Sequence, residues 1–167
     1  MSDPRAPLAW RVDLETLTGP ERPGEPITYV VAFDSSPLAE AALRRAVTFA
    51  DAADAAVVAV TAVQRDPAMA RDRGWLGADE SFDVGTVAAA IAADVHEIAP
   101  GVPVEYEVLD AYAPRGRVSR TVRELAVDAG ATVVFVGSDN AGHVVGGLTS
   151  VGQGVSADDR YDVHIVR

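Results

Sequence analysis

The sequence predicts an α/β fold in which a mostly parallel sheet is covered by helices on both faces. Three observations carry that expectation. Short apolar runs of strand length alternate with apolar stripes at helical spacing. Strands alternating with helices form βαβ units, whose crossovers lay helices over a parallel sheet. The chain has 167 residues and is 49% hydrophobic, enough to bury one core and short for two.

Residues 1–26 stand apart as a Pro-rich arm. Pro4, Pro7, Pro20, Pro23 and Pro26 punctuate it, and Trp10, Val12, Leu14 and Leu17 are its apolar anchors. That alternation fits a short edge strand, while the composition fits a flexible arm that is partly docked. From Ile27 the pattern becomes regular. Ile27–Phe33 is a continuous run suited to a strand buried on both faces. Ser36 is placed to cap a helix and Pro37 to begin it, where a missing N–H costs nothing. Leu38, Ala42, Ala46 and Phe49 line that helix to about Asp54.

Ala56–Val63 is a second buried strand, and Gln64–Phe82 reads as a long polar loop. Val84, Val87, Ala88, Ile91, Val95 and Ile98 make the next helix, closed by Pro100-Gly101. Val102–Leu109 is the third strand. Val118, Val122, Leu125, Ala126 and Ala129 form the clearest stripe, and Gly130 ends that helix. Ala131–Val136 is the fourth strand. A Gly-rich stretch over Gly137–Gly147, a short helix over Thr149–Ala157 and a last strand over Val163–Arg167 complete the chain.

Composition narrows the function. Fourteen basic against 25 acidic residues leave a net charge of −11, and every basic residue is Arg. That surplus argues against nucleic acid as a partner, because phosphate backbones require a density of cations. The absence of Cys excludes disulfides, thiol nucleophiles and zinc–cysteine or iron–sulfur sites. No apolar run approaches ~20 residues and no signal-peptide pattern opens the chain, so no membrane span is expected and the cytoplasm is the expected location. The missing Lys fits either a high-GC genome or, with the acidic surplus and small core residues, a halophilic proteome bathed in salt.

Parallel sheets bind ligands beyond the carboxyl ends of their strands, where strand order reverses. This directs attention to Asp34 and to Gly137–Ser150. Asp34 suits a hydrogen bond to a ribose or a base edge; equally, an Asp before Ser-Ser-Pro stabilises a turn. Glycines in the later segment let backbone N–H groups turn toward an anion at a helix start, and Thr149 or Ser150 would cap that helix or meet a phosphate oxygen. A Walker-type phosphate site is impossible without Lys. His96 falls on a polar helix face, His143 within the Gly-rich stretch and His164 in the last strand, where a subunit contact is expected. None has metal-ligand spacing. Arg115, Arg117, Arg120 and Arg123 read as a solvated face paired with Glu124 and Asp128, and Trp75 as an anchor for the long loop.

Val30–Ser36 leading into Ala39–Ala50, the stretch Ala131–Ser138, and Ser150-Val151 with the closing Asp162–Arg167 resemble the universal stress protein family. The resemblance covers Ile27–Arg167 in the correct element order. It implies a five-stranded Rossmann-like sheet with residues 1–26 as an N-terminal extension, and a homodimer joined through the last strand. It also implies a regulatory protein binding an adenine nucleotide such as ATP or AMP; with no Lys and no convincing base in the sequence, an enzyme is not expected. Carried over by position, Asp34 serves the ribose or base, Ala32 and Ala62 the adenine edge, and Gly137, Asn140, Ser150 and Val151 the phosphates. ATP-binding members share Gly-x2-Gly-x9-Gly followed by Ser or Thr. Here Asn140 and Thr149 replace two of those glycines and the loop is one residue shorter. That departure supports a second expectation: a dimeric interaction protein of the same fold that no longer binds nucleotide.

Overall fold

The computed structural model describes residues 24, 26–137 and 159–167. Five strands form one sheet: β1 (Thr28–Ala32), β2 (Ala56–Gln64), β3 (Val104–Leu109), β4 (Val133–Gly137) and β5 (Asp162–Val166). Their order is β3-β2-β1-β4-β5 and every neighbouring pair is parallel, so the expected mostly parallel sheet is wholly parallel across these strands. From β1 the chain first builds outward through β2 and β3, then returns to the other side for β4 and β5. The order therefore reverses between β1 and β4.

Helices α1 (Pro37–Ala53) and α3 (Val84–Ile98) cover one face, and α4 (Arg115–Asp128) covers the other. The alternation of side chains along each strand divides the core accordingly. Val31, Phe33 and Phe135 pack under α1 and α3 with Leu43, Ala46 and Ile91, whereas Val30, Ala32, Val134 and Val136 pack under α4 with Val122 and Ala126. Val30 and Val31 are both fully buried, as a strand covered on both faces requires.

Helix ends follow their local signals. Ser36 Oγ accepts the Ala39 N–H at 3.2 Å and Pro37 is the first helical residue of α1. At the end of α4, Gly130 takes φ +72°; its N–H donates to Val127 O, and the Ala131 N–H donates to Ala126 O. This pair of bonds is a Schellman closure, which satisfies carbonyls the helix would leave open.

Two expectations are corrected. Gln64–Phe82 is not simply a loop: α2 (Pro67–Asp72) forms within it, capped by Asp66, whose Oδ1 accepts from Ala68 and Met69 N–H. A six-residue helix needs only its Asp-Pro start and no apolar stripe, so periodicity does not reveal it. The remainder is ordered by Arg71, which donates to Gly77 O and Glu80 O, and by buried Trp75 and Leu76. The second correction concerns Arg117, which pairs with Glu107 of β3 at 3.8 Å and not with Glu124. Glu124 lies about 10 Å farther along the helix axis, at ~1.5 Å per residue, while β3 runs alongside α4. The Gly-rich stretch beyond Gly137, His143 and the expected helix over Thr149–Ala157 lie outside the described residues, as does nearly all of the arm.

Candidate functional site

The site begins where β1 runs out. Phe33 N–H still bonds Val60 O, and the chain then turns through Asp34 and Ser35 into the cap of α1. Asp34 Oδ1 accepts the Ser36 N–H at 3.1 Å, so the turn-stabilising role holds. Its Oδ2 meets Nη1 of Arg73 at 3.0 Å, and the same nitrogen donates to the Asp34 carbonyl at 3.1 Å.

Ser35 is left-handed, with φ +58°, a conformation that costs a non-glycine residue on the order of 1 kcal/mol. Its hydroxyl offsets that cost by accepting Trp75 Nε1–H at 2.8 Å and donating to Asp94 Oδ2 of α3. Two consecutive residues after β1 thus hold the segment after α2: Asp34 through Arg73, and Ser35 through Trp75. The anchoring role expected of Trp75 is what its ring nitrogen performs.

Beneath that segment lies a cavity of about 260 Å³ at the carboxyl ends of β1 and β2. Ala32, Phe33 and Asp34 contribute from β1 and the turn after it, and Val60, Thr61, Ala62 and Gln64 from β2. Met69, Arg73 and Trp75 close it on one side; Ala113, Val118 and Val122 close it on the other. The volume sits just under the ~300–1,000 Å³ usual for small-molecule pockets. The methyl side chains of Ala32 and Ala62 leave the floor open. The walls are mainly apolar, with a carboxylate and a guanidinium side by side among them. Such a slot fits a flat heterocycle carrying hydroxyls or charge at one end.

Ala32, Asp34 and Ala62, singled out from two distant stretches of sequence, converge in this cavity. Gly137 does not line it. It ends β4, buried against the start of α1, where a Cβ would stand 2.7 Å from Leu38 Cβ and 3.0 Å from the Leu38 carbonyl carbon. Close packing alone therefore accounts for glycine there. Asn140, Ser150 and Val151 lie outside the described residues.

Sequence reasoning missed Thr61, Gln64, Met69 and Arg73 as lining residues. The Asp66-Pro67 start signal was the available clue, since α2 is what swings Met69 and Arg73 back over the strand ends. The two described histidines stay away from the cavity. His96 shares a 2.9 Å hydrogen bond with Val102 O in the turn after α3. His164 of β5 lies against Phe135 and Phe49, with ring centroids 4.9 and 5.4 Å apart. Among the described residues, no group of three or more His, Cys, Asp or Glu is arranged to hold a metal ion, and no helix is long and apolar enough to cross a membrane. Asp83, the cap of α3, is held below the usual carboxylate range by the Thr86 N–H and then the Thr86 hydroxyl.

The universal stress protein family model matches residues 28–167. Among solved structures, a universal stress protein in complex with cAMP is 23% identical, with a TM-score of 0.49, covering 84% of this chain and 97% of that one. A family protein from Burkholderia pseudomallei is 18% identical, TM-score 0.48, covering 86% and 98%. A universal stress protein from Archaeoglobus fulgidus in complex with dAMP is 14% identical, TM-score 0.45, covering 85% and 97%. No curated protein matches the sequence.

Proposed function

Since this chain belongs to the universal stress protein family, we propose that it is a regulatory protein holding an adenine nucleotide, ATP or AMP, in the cavity at the ends of β1 and β2. One observation carries the reading: Ala32, Asp34 and Ala62 meet around a single mainly apolar cavity beside the reversal of strand order. The base lies over the small floor of Ala32 and Ala62. The ribose hydroxyls donate to the Asp34 carboxylate. Among the described residues the lining contains no His, and Lys and Cys are absent from the chain, so occupancy and not turnover is the expected signal.

Dimerisation through β5 belongs to the same reading. β5 pairs with β4 along one edge, and its other edge is suited to a second copy. A cytoplasm rich in salt fits the charge of −11, because at ~1 M ionic strength the Debye length is only ~3 Å and repulsion of a polyphosphate is slight. Isothermal titration in molar KCl tests the assignment with ATP, ADP and AMP; cAMP and dAMP complete the panel. Saturable heat near one ligand per chain is expected, and no heat with any of the five sinks it.

The second reading, an interaction protein without nucleotide, draws support from Gly137 and Asp34. The first is explained by its contact with Leu38, and the second already serves a turn and an ion pair. A silent titration together with an assembly that changes size on deletion of residues 1–26 in sedimentation would favour it.

A further inference from the structure

We infer that Arg73 is the anion-binding residue of this cavity, receiving a phosphate of the bound nucleotide while Nη1 remains on Asp34. The inference rests on the nucleotide reading above and goes further, to which part of the ligand is recognised and by what. A guanidinium carries five N–H donors in a rigid fork. Both hydrogens of Nη1 are used, one on Asp34 Oδ2 at 3.0 Å and one on the Asp34 carbonyl at 3.1 Å. Among the described residues, Nη2 and Nε have no partner. Those two atoms form the edge of the guanidinium that meets a phosphate or carboxylate with two parallel bonds.

Position and charge agree with this. Arg73 lines the cavity with about a third of its side chain exposed, 34%, and among the described lining residues it is the one cation. With no Lys in the chain, a permanently charged side-chain cation for phosphate has to be an Arg. Asp34 does not cancel the site. It fixes the plane of the guanidinium before the ligand arrives, which lowers the ordering cost of a two-bond contact. Contacts near 3 Å also survive molar salt, since screening acts at and beyond about that length. The ion pair moreover places a ribose-binding carboxylate and an anion-binding fork next to each other, matching the adjacency of sugar and phosphate in a nucleotide.

The shared chemistry is a phosphate close to the ribose, as a 5′-monoester or a 3′,5′-cyclic diester. Adenosine, AMP and cAMP, titrated into the full chain in molar KCl, separate the cases. At least one nucleotide should bind wild type tenfold or more tightly than adenosine. Arg73→Gln should reduce that advantage, read as the nucleotide-to-adenosine affinity ratio within the variant, to twofold or less. Arg73→Lys, which keeps the charge but loses the fork, should keep an advantage between those limits. An Arg73→Gln protein with the wild-type ratio overturns the inference, as does a wild type that binds adenosine as tightly as both nucleotides. The second result leaves the cavity assignment standing; no binding of any of the three removes both.

Discussion

Gly137→Ala separates the two explanations for glycine at the end of β4. The added Cβ would lie 2.7 Å from Leu38 Cβ, 3.0 Å from Leu38 C and 3.3 Å from Ala39 N. Carbon atoms in contact prefer ~3.5–4.0 Å, so the strand end and the helix must part by nearly 1 Å. Two of the three atoms are backbone in the first turn of α1, whose position is set by the Ser36 cap and by Leu43 and Ala46 in the core. Rotation of a side chain cannot relieve the clash. Overpacking of this kind costs ~1–3 kcal/mol, and the backbone contacts place this case toward the upper end. With a urea m-value of ~2 kcal/mol/M, the midpoint should fall by roughly 1 M at constant KCl. Nucleotide affinity, measured well below the unfolding transition, should change less than threefold if packing is the reason for the glycine. A midpoint shift under about 0.3 M would refute the packing argument, and an intact midpoint with lost affinity would return Gly137 to the phosphates.

Ala62→Leu should fill the cavity floor and weaken AMP by at least tenfold in titration, while stability stays within about 1.5 kcal/mol, because the added atoms enter open space. Trp75→Phe removes the donor to Ser35 together with the pyrrole half of a buried indole, and denaturant unfolding should show a loss of ~1–3 kcal/mol. Thr121 is fully buried on α4 and its hydroxyl has no partner among the described residues, so Thr121→Val should raise the melting temperature, by the equivalent of ~1 kcal/mol. Asp83 titrates lower folded than unfolded; its stabilising contribution is complete above the unfolded value near 4 and is lost as pH falls through the folded one. Asp83→Asn should therefore flatten the stability profile below about pH 4, and carbon-13 titration of the wild-type carboxyl should give a value below the ordinary ~3.9.

On the proposed nucleotide reading, the Asp34–Arg73 pair also links occupancy to the segment after α2. A ligand that draws on either partner acts on the contact joining that segment to β1, while Trp75 remains held by Ser35 and, through it, Asp94.

Much of the architecture is written locally. The unbroken run before Asp34 predicts a strand buried on both faces because each side chain meets a helix layer, and Val30 and Val31 are buried on opposite faces. Ser36-Pro37 predicts the start of α1, and Gly130 the end of α4, because a cap involves only residues within one turn of it. Apolar runs marked all five strands and strand-end placement singled out Asp34; likeness to the family added Ala32 and Ala62. Other features have no local signature. The order β3-β2-β1-β4-β5, and with it the reversal at β1, is decided by which strands share hydrogen bonds. Arg73 joins the cavity only because α2 folds back and brings it to Asp34, 39 residues earlier in the chain. Gly137 reads as a flexible loop glycine until β4 is laid against α1, where the space left by Leu38 admits no side chain. Periodicity and capping depend on neighbours along the chain and can be read from them; packing distance and ion pairing depend on neighbours in space, which only the assembled sheet brings together.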